Sequence, residues 1–86
     1  MAKTEQTWSL KEIDQSRNER KGTAFLAFKQ LKDSFDEGRD YYYLHNQQDS
    51  REIEKLRAAG RVYETTVNAI LLTESGYSAI LDYLDG

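Results

Sequence analysis

Residues 9–34, SLKEIDQSRNERKGTAFLAFKQLKDS, contain two helix patterns that flank a polar turn ending at Gly22. Ser9 and Glu12 form a capping box, in which the hydroxyl accepts a backbone N–H and the carboxylate bonds back to the cap. With the apolar edge that follows, this predicts a short helix over 10–17. Two short helices joined by a tight glycine-containing turn indicate a helix-turn-helix.

The second helix of this pair has an apolar side and a polar side. Thr23 is a typical N-cap, and the periodicity predicts a helix over 24–35. The apolar stripe is expected to contain Ala24, Phe25, Phe28, Leu31 and Phe35. The opposite, exposed side is expected to carry Thr23, Leu26, Ala27, Lys29, Gln30 and Lys32.

The charge distribution keeps a nucleic-acid partner open although the chain is acidic. Its 86 residues contain 12 basic and 15 acidic side chains, a net charge of −3. Residues 73–86 hold three acids and no base, which accounts for that excess. Residues 17–32 hold one acid, Glu19, against five bases: Arg17, Arg20, Lys21, Lys29 and Lys32. Phosphate recognition needs a local basic face more than a basic protein.

The remaining elements follow from glycines, caps and periodicity. Strand formers predict a strand at 41–44, and Asp49 with Glu52 predicts a capped helix over 50–59. Further strands are expected at 62–63 and 67–72, and a last helix opens at 73–75. The expected fold is one α+β domain over 1–86, with a flexible arm at 1–8 and a small two- or three-stranded antiparallel sheet.

Two apolar features at the ends of the chain have expected packing roles. Trp8 precedes the Ser9 cap and could pack as a hydrophobic staple against Ile13. The last helix carries an apolar stripe that either closes the core, the favoured reading, or forms a homodimer interface. The stripe consists of Tyr77, Ile80, Leu81 and Leu84.

Enzyme, metal and membrane classes find no support in the sequence. The chain has no cysteine, and its one histidine, His45, has no ligand partner at a metal-binding spacing. The acids at 33–40 around Arg39 lack an apolar pocket and are expected to be solvated. No nucleophile with a base, no phosphate loop, no secretory signal and no membrane span is visible. We therefore expect a cytoplasmic binding protein without a cofactor.

The strand at 41–44 allows a second type of nucleic-acid contact. Alternation places Tyr42 on one face and Tyr41 and Tyr43 on the other. Aromatic side chains on a strand can stack on single-stranded bases. Because no basic residue interleaves with these tyrosines, core packing on one face and solvated hydroxyls on the other are favoured.

Two stretches resemble known DNA-binding proteins. Residues 8–14 and 21–25 resemble the opening of small bacterial and phage winged helix-turn-helix regulators, and residues 71–77 are similar to the strand-to-helix junction of phage antirepressor-type DNA-binding domains. The resemblance implies a winged helix-turn-helix fold that binds duplex DNA through the helix from Thr23 to Ser34. The polar helix at 50–59 and the acidic C-terminus depart from that pattern.

The resulting hypothesis is sequence-specific binding of duplex DNA in transcription regulation, as a homodimer. Lys29 and Lys32 would contact phosphates, Thr23 and Gln30 would reach base edges, and Arg17, Arg20 and Lys21 would lie where the DNA backbone passes. The alternative is a protein-interaction module, an adaptor or antirepressor that does not contact DNA. Its support is the acidic last helix and the neutral balance of the rest of the chain.

Overall fold

A computed structural model describes residues 6–86, which form an α+β fold of four helices and a three-stranded antiparallel sheet. The elements in chain order are β1 (Trp8–Ser9), α1 (Leu10–Ser16), α2 (Thr23–Leu31), β2 (Tyr41–Leu44), α3 (Ser50–Ala58), β3 (Ala69–Leu72) and α4 (Glu74–Asp85). A 3₁₀ turn, Lys32–Ser34, extends α2. Of the predicted arm, residues 1–5 lie outside the described residues, and Trp8 belongs to β1.

The sheet has the order β1-β3-β2, with β3 in the centre. Leu72 lies opposite both Trp8 and Tyr41, so one residue of β3 joins the two edge strands. Successive side chains of a strand point to opposite faces. Ile70 and Leu72 accordingly pack into one hydrophobic cluster, whereas Ala69 and Leu71 pack with another. The sheet therefore separates two small cores.

The larger core is built by α1, α2 and α4 against one face of the sheet. Its buried members are Ile13, Ala24, Ala27, Phe28, Tyr41, Ile70, Leu72 and Ile80. The stripe on α4 packs against this cluster, which confirms its core assignment. Trp8 also packs here, and its ring stacks on that of Tyr77 at a centroid distance of 4.2 Å. The aromatic pair fastens the first strand to the last helix.

The smaller core lies on the other face, beneath α3. Ile53 and Leu56 of α3 pack with Val62 and Ala69. The predicted helix ends within a residue of the observed one, and Gly60 follows in the left-handed conformation. Asp49 is the N-cap residue, as predicted, but its carboxylate accepts the backbone N–H of His45 and forms no capping bond with the helix. This polar helix separates β2 from β3, as the sequence indicated.

Tertiary packing overturns three predictions about local structure. Thr23 is the first helical residue and not the cap, since Gly22 before it has a φ of 95° and no side chain. The buried face of α2 includes Ala27 and excludes Phe25, which is 43% exposed. The two alanines, Ala24 and Ala27, allow α2 to lie close to its neighbouring helices. Residues 62–63 form irregular chain and not a strand.

The Ser9 capping box is confirmed and forms part of a wider polar network. The Ser9 hydroxyl accepts the Glu12 amide at 3.1 Å, and Glu12 Oε1 accepts the Ser9 amide at 2.9 Å. Arg61 donates to the same carboxylate at 2.9 Å and to the carbonyl of Thr7. Burial alone would raise the pKa of Glu12, but the bonds from Arg61 and Ser9 outweigh it and lower that pKa below its usual value.

Asp40 corrects the expectation that the acids at 33–40 are simply solvated. Its side chain is buried and accepts the Ser75 hydroxyl at 2.7 Å, the Asp36 amide at 2.9 Å and the Arg39 guanidinium at 3.0 Å. These bonds, that from Ser75 foremost, hold the pKa of Asp40 below its usual range. Asp40 thus ties the loop before β2 to the start of α4.

Candidate nucleic-acid interface

Asp14 organises the turn between α1 and α2. It is 1% exposed, and its carboxylate accepts the backbone amides of Ala24 at 2.8 Å and Gly22 at 3.0 Å. These N–H groups at the start of α2 have no acceptor within the helix, and the helix dipole there favours a negative charge. A side chain of the first helix therefore caps the second.

A third hydrogen bond joins this turn to a distant segment. The hydroxyl of Tyr63 donates to Asp14 Oδ2 at 2.9 Å. Burial, the hydrogen bond and the charge of Asp14 together raise the pKa of Tyr63 to about 12. The start of α2 is thus held by an internal carboxylate, and its anion-binding capacity is used within the protein.

The outer face of α2 is exposed and mixes apolar with polar groups. Leu26 is 64% exposed, and Lys29 and Gln30 lie beside it in the next turn. The ammonium of Lys29 lies 5.5 Å from the ring centroid of Phe25. Lys32 follows on the exposed 3₁₀ turn, one turn after Lys29. The structure thus brings together four of the residues expected on this face, with Phe25 in addition.

The other predicted contact residues differ in exposure and in pairing. Arg20 and Lys21 are exposed in the turn, and Lys21 donates to the Thr65 hydroxyl at 3.1 Å. Thr23 is only partly exposed. Arg17 forms a 2.6 Å ion pair with Asp85 at the end of α4, which neutralises its charge. Arg17 is therefore the predicted residue that is least available for a contact with DNA.

The segment between the last two strands differs from a short wing. Residues 45–68 join β2 to β3 and contain α3. Tyr41 is buried in the larger core and Tyr43 packs against it, whereas Tyr42 lines the other face with Leu44. This confirms the predicted alternation and leaves no row of exposed rings along β2. His45 at the end of the strand is exposed, with its ring against Tyr43.

A cleft that the sequence did not indicate lies beside the turn. It has a volume of about 390 Å³ and is enclosed by α1, the turn, Phe25 and the chain from 62 to 70. At the margin of the cleft, the ammonium groups of Lys11 and Lys21 both lie over the ring of Tyr63. Lys11 and Tyr63 are far apart in sequence, so no local pattern could have predicted the cleft.

Comparisons with protein-family models, with curated proteins and with solved structures give no match for this chain. Within residues 6–86, no helix has both the length and the apolar character needed to cross a membrane. Across that same range, no three histidine or acidic side chains converge as metal ligands would.

Proposed function

We propose that this chain binds duplex DNA through α2, as a winged helix-turn-helix-like domain. The observation that carries the proposal is the outer face of α2, which no other element of the described chain covers and which presents Lys29 and Gln30 with Lys32 beside them. The paired strands β2 and β3 follow the two helices, the order that a wing requires, and β1 adds a third strand to β3.

The chemistry of this face suits the major groove. Lys29 and Lys32 would contact phosphates, and Gln30 could bond bidentately to an adenine edge. Leu26 offers the apolar contact that a thymine methyl group favours. Arg20 and Lys21 would contact the backbone from the turn. Two copies on adjacent half-sites would extend the sequence that is recognised.

The test is fluorescence anisotropy with a random-sequence duplex, titrated at low and at physiological salt. The double variant Lys29→Ala/Lys32→Ala should weaken binding to all sequences and reduce the salt slope by about two. The matched control is Arg51→Ala/Lys55→Ala on α3, which lies across the sheet from α2. Equal losses in both double variants, or none in the first, would refute the assignment of α2.

Exposed Phe25 and Leu26 favour a second candidate, a protein-interaction module. Adjacent apolar side chains, 43% and 64% exposed, are typical of a contact surface. Under this alternative the protein passes through heparin without retention and shows no anisotropy change with DNA even at low salt. Under the DNA proposal it is retained on heparin above physiological salt, and the lysine variant elutes earlier.

A further inference from the structure

The cleft beside the turn combines an apolar floor with two cations. Leu10, Val62 and Ile70 form its floor, and Phe25 forms a wall that is 43% exposed to solvent. Its volume of about 390 Å³ falls near the lower end of the range for small-molecule sites, roughly 300–1,000 Å³. The space suits a compact ligand that would cover the exposed ring of Phe25.

The two lysines are held in place without an acidic partner. Their ammonium groups lie 5.6 Å (Lys11) and 4.9 Å (Lys21) from the ring centroid of Tyr63, where cation–π attraction orients them. Neither forms an ion pair with an acid in the described part of the chain. Lys21 is further fixed by its bond to Thr65.

Asp14 is the acid that lines this cleft, and it forms no ion pair with either lysine. Its oxygens already accept the two α2 amides and the Tyr63 hydroxyl, and it is almost fully buried. A ligand therefore meets an apolar surface with two ammonium groups against the single carboxylate of Asp14, an excess of one positive charge. Charge complementarity selects an anion, and the floor selects an anion with an apolar body.

We propose that this cleft binds a small aromatic carboxylate. The ring of the ligand would pack against Phe25 and the aliphatic floor, and its carboxylate would accept hydrogen bonds from the ammonium groups of Lys11 and Lys21. Because Tyr63 already orients both lysines, little further ordering would accompany binding. This site shares Lys21 with the proposed DNA contact, but it does not require α2 to bind DNA.

The test is a titration of the amide chemical shifts with naphthoate as the probe. Naphthylmethanol, which has the same ring system without the charge, and inorganic phosphate serve as paired probes. We expect naphthoate to shift amides around the cleft and to bind about tenfold more tightly than either, since naphthylmethanol lacks the charge-assisted hydrogen bonds and phosphate lacks the apolar contact. Equal binding of naphthylmethanol or of phosphate would overturn the proposal, as would shifts elsewhere only.

Two variants make the test specific to the cleft. Lys11→Met keeps the aliphatic stem and removes the charge, and it should weaken naphthoate binding about tenfold while naphthylmethanol binding is unchanged. Phe25→Ala removes the exposed wall and should weaken both aromatic probes. Lys55→Met on α3 is the control and should bind naphthoate as the wild type does. Unchanged binding in Lys11→Met, with circular dichroism showing an intact fold, would refute the site.

Discussion

Replacing Asp14 by alanine tests whether one carboxylate holds the two helices in register. The substitution removes the partner of three groups: the Ala24 amide, the Gly22 amide and the Tyr63 hydroxyl. The Ala24 amide is buried, and leaving such a donor unpaired costs about 1–3 kcal/mol. The other two groups are only partly buried and can bond to water, so each contributes about 0.5–1.5 kcal/mol.

The expected loss for Asp14→Ala is therefore about 2–6 kcal/mol in the free energy of unfolding. For a domain of this size that corresponds to a fall in Tm of roughly 10 °C or more. Urea and thermal unfolding, followed by circular dichroism, measure both quantities. Tyr63→Phe removes one of the three bonds and should lose about 0.5–1.5 kcal/mol. Asp14→Asn keeps one acceptor oxygen and should lie between the two.

The matched control is Asp33→Ala, because Asp33 is an exposed acid on the 3₁₀ turn that extends α2. A surface change of this kind should stay within about 0.5 kcal/mol of the wild type. If Asp14→Ala is no less stable than Asp33→Ala, the carboxylate does not hold the first turn of α2. The capping argument would then be refuted.

Three further predictions concern the packing of α4 at Gly76, the stability of the fold in acid and its stability in alkali. A Cβ on Gly76 would overlap the Asp40 carbonyl oxygen and lie 2.9 Å from Leu72 Cδ1, so Gly76→Ala should lose about 1–3 kcal/mol in urea unfolding, whereas exposed Ser78→Ala should not. Because the pKa of Asp40 is lowered from 3.8 in the folded protein, Asp40 contributes fully to the free energy of unfolding above pH 3.8, and this contribution is lost as the pH falls through the folded-state pKa. Asp40→Asn should therefore flatten the acid side of a plot of the free energy of unfolding against pH. The pKa of Tyr63 is raised from 10.0 to about 12, so its contribution to the free energy of unfolding is complete below pH 10.0 and declines towards pH 12; in an alkaline absorbance titration, Tyr63→Phe should lose the phenolate signal that appears around pH 12.

Elements defined by short-range signals could be predicted from the sequence. The Ser9 box places the start of α1, and the strand formers at 41–44 form the observed strand. Both signals act within a few residues, where capping bonds and backbone preferences are strong. The predicted end of α3 beside Gly60 agrees for the same reason.

Long-range packing explains what could not be predicted. Helical spacing allowed Phe25 or Ala27 to face inward, and the choice depends on how closely the neighbouring helices approach. The amides at the start of α2 are bonded by Asp14 and not by Thr23. Asp14 lies nine residues before Thr23 and is brought close only by the turn, so the capping pattern at Thr23 could not indicate it. The bond from Tyr63 joins residues 49 positions apart, so the cleft beside it had no local signal.

The same internal pairing limits which cations remain for DNA. Asp85 pairs with Arg17, and Asp14 binds the amides at the start of α2, so under the proposed function the phosphate contacts would fall to Arg20, Lys21, Lys29 and Lys32. Each phosphate contact contributes about 0.9 to the slope of log affinity against log salt, so four give roughly −4. A measured slope near this value supports binding through α2 and the turn, and Arg17→Ala should leave it unchanged. If Arg17→Ala reduces the slope by a full unit, Arg17 contacts a phosphate in the complex. DNA would then displace Asp85, and Asp85 would compete with the phosphate for Arg17.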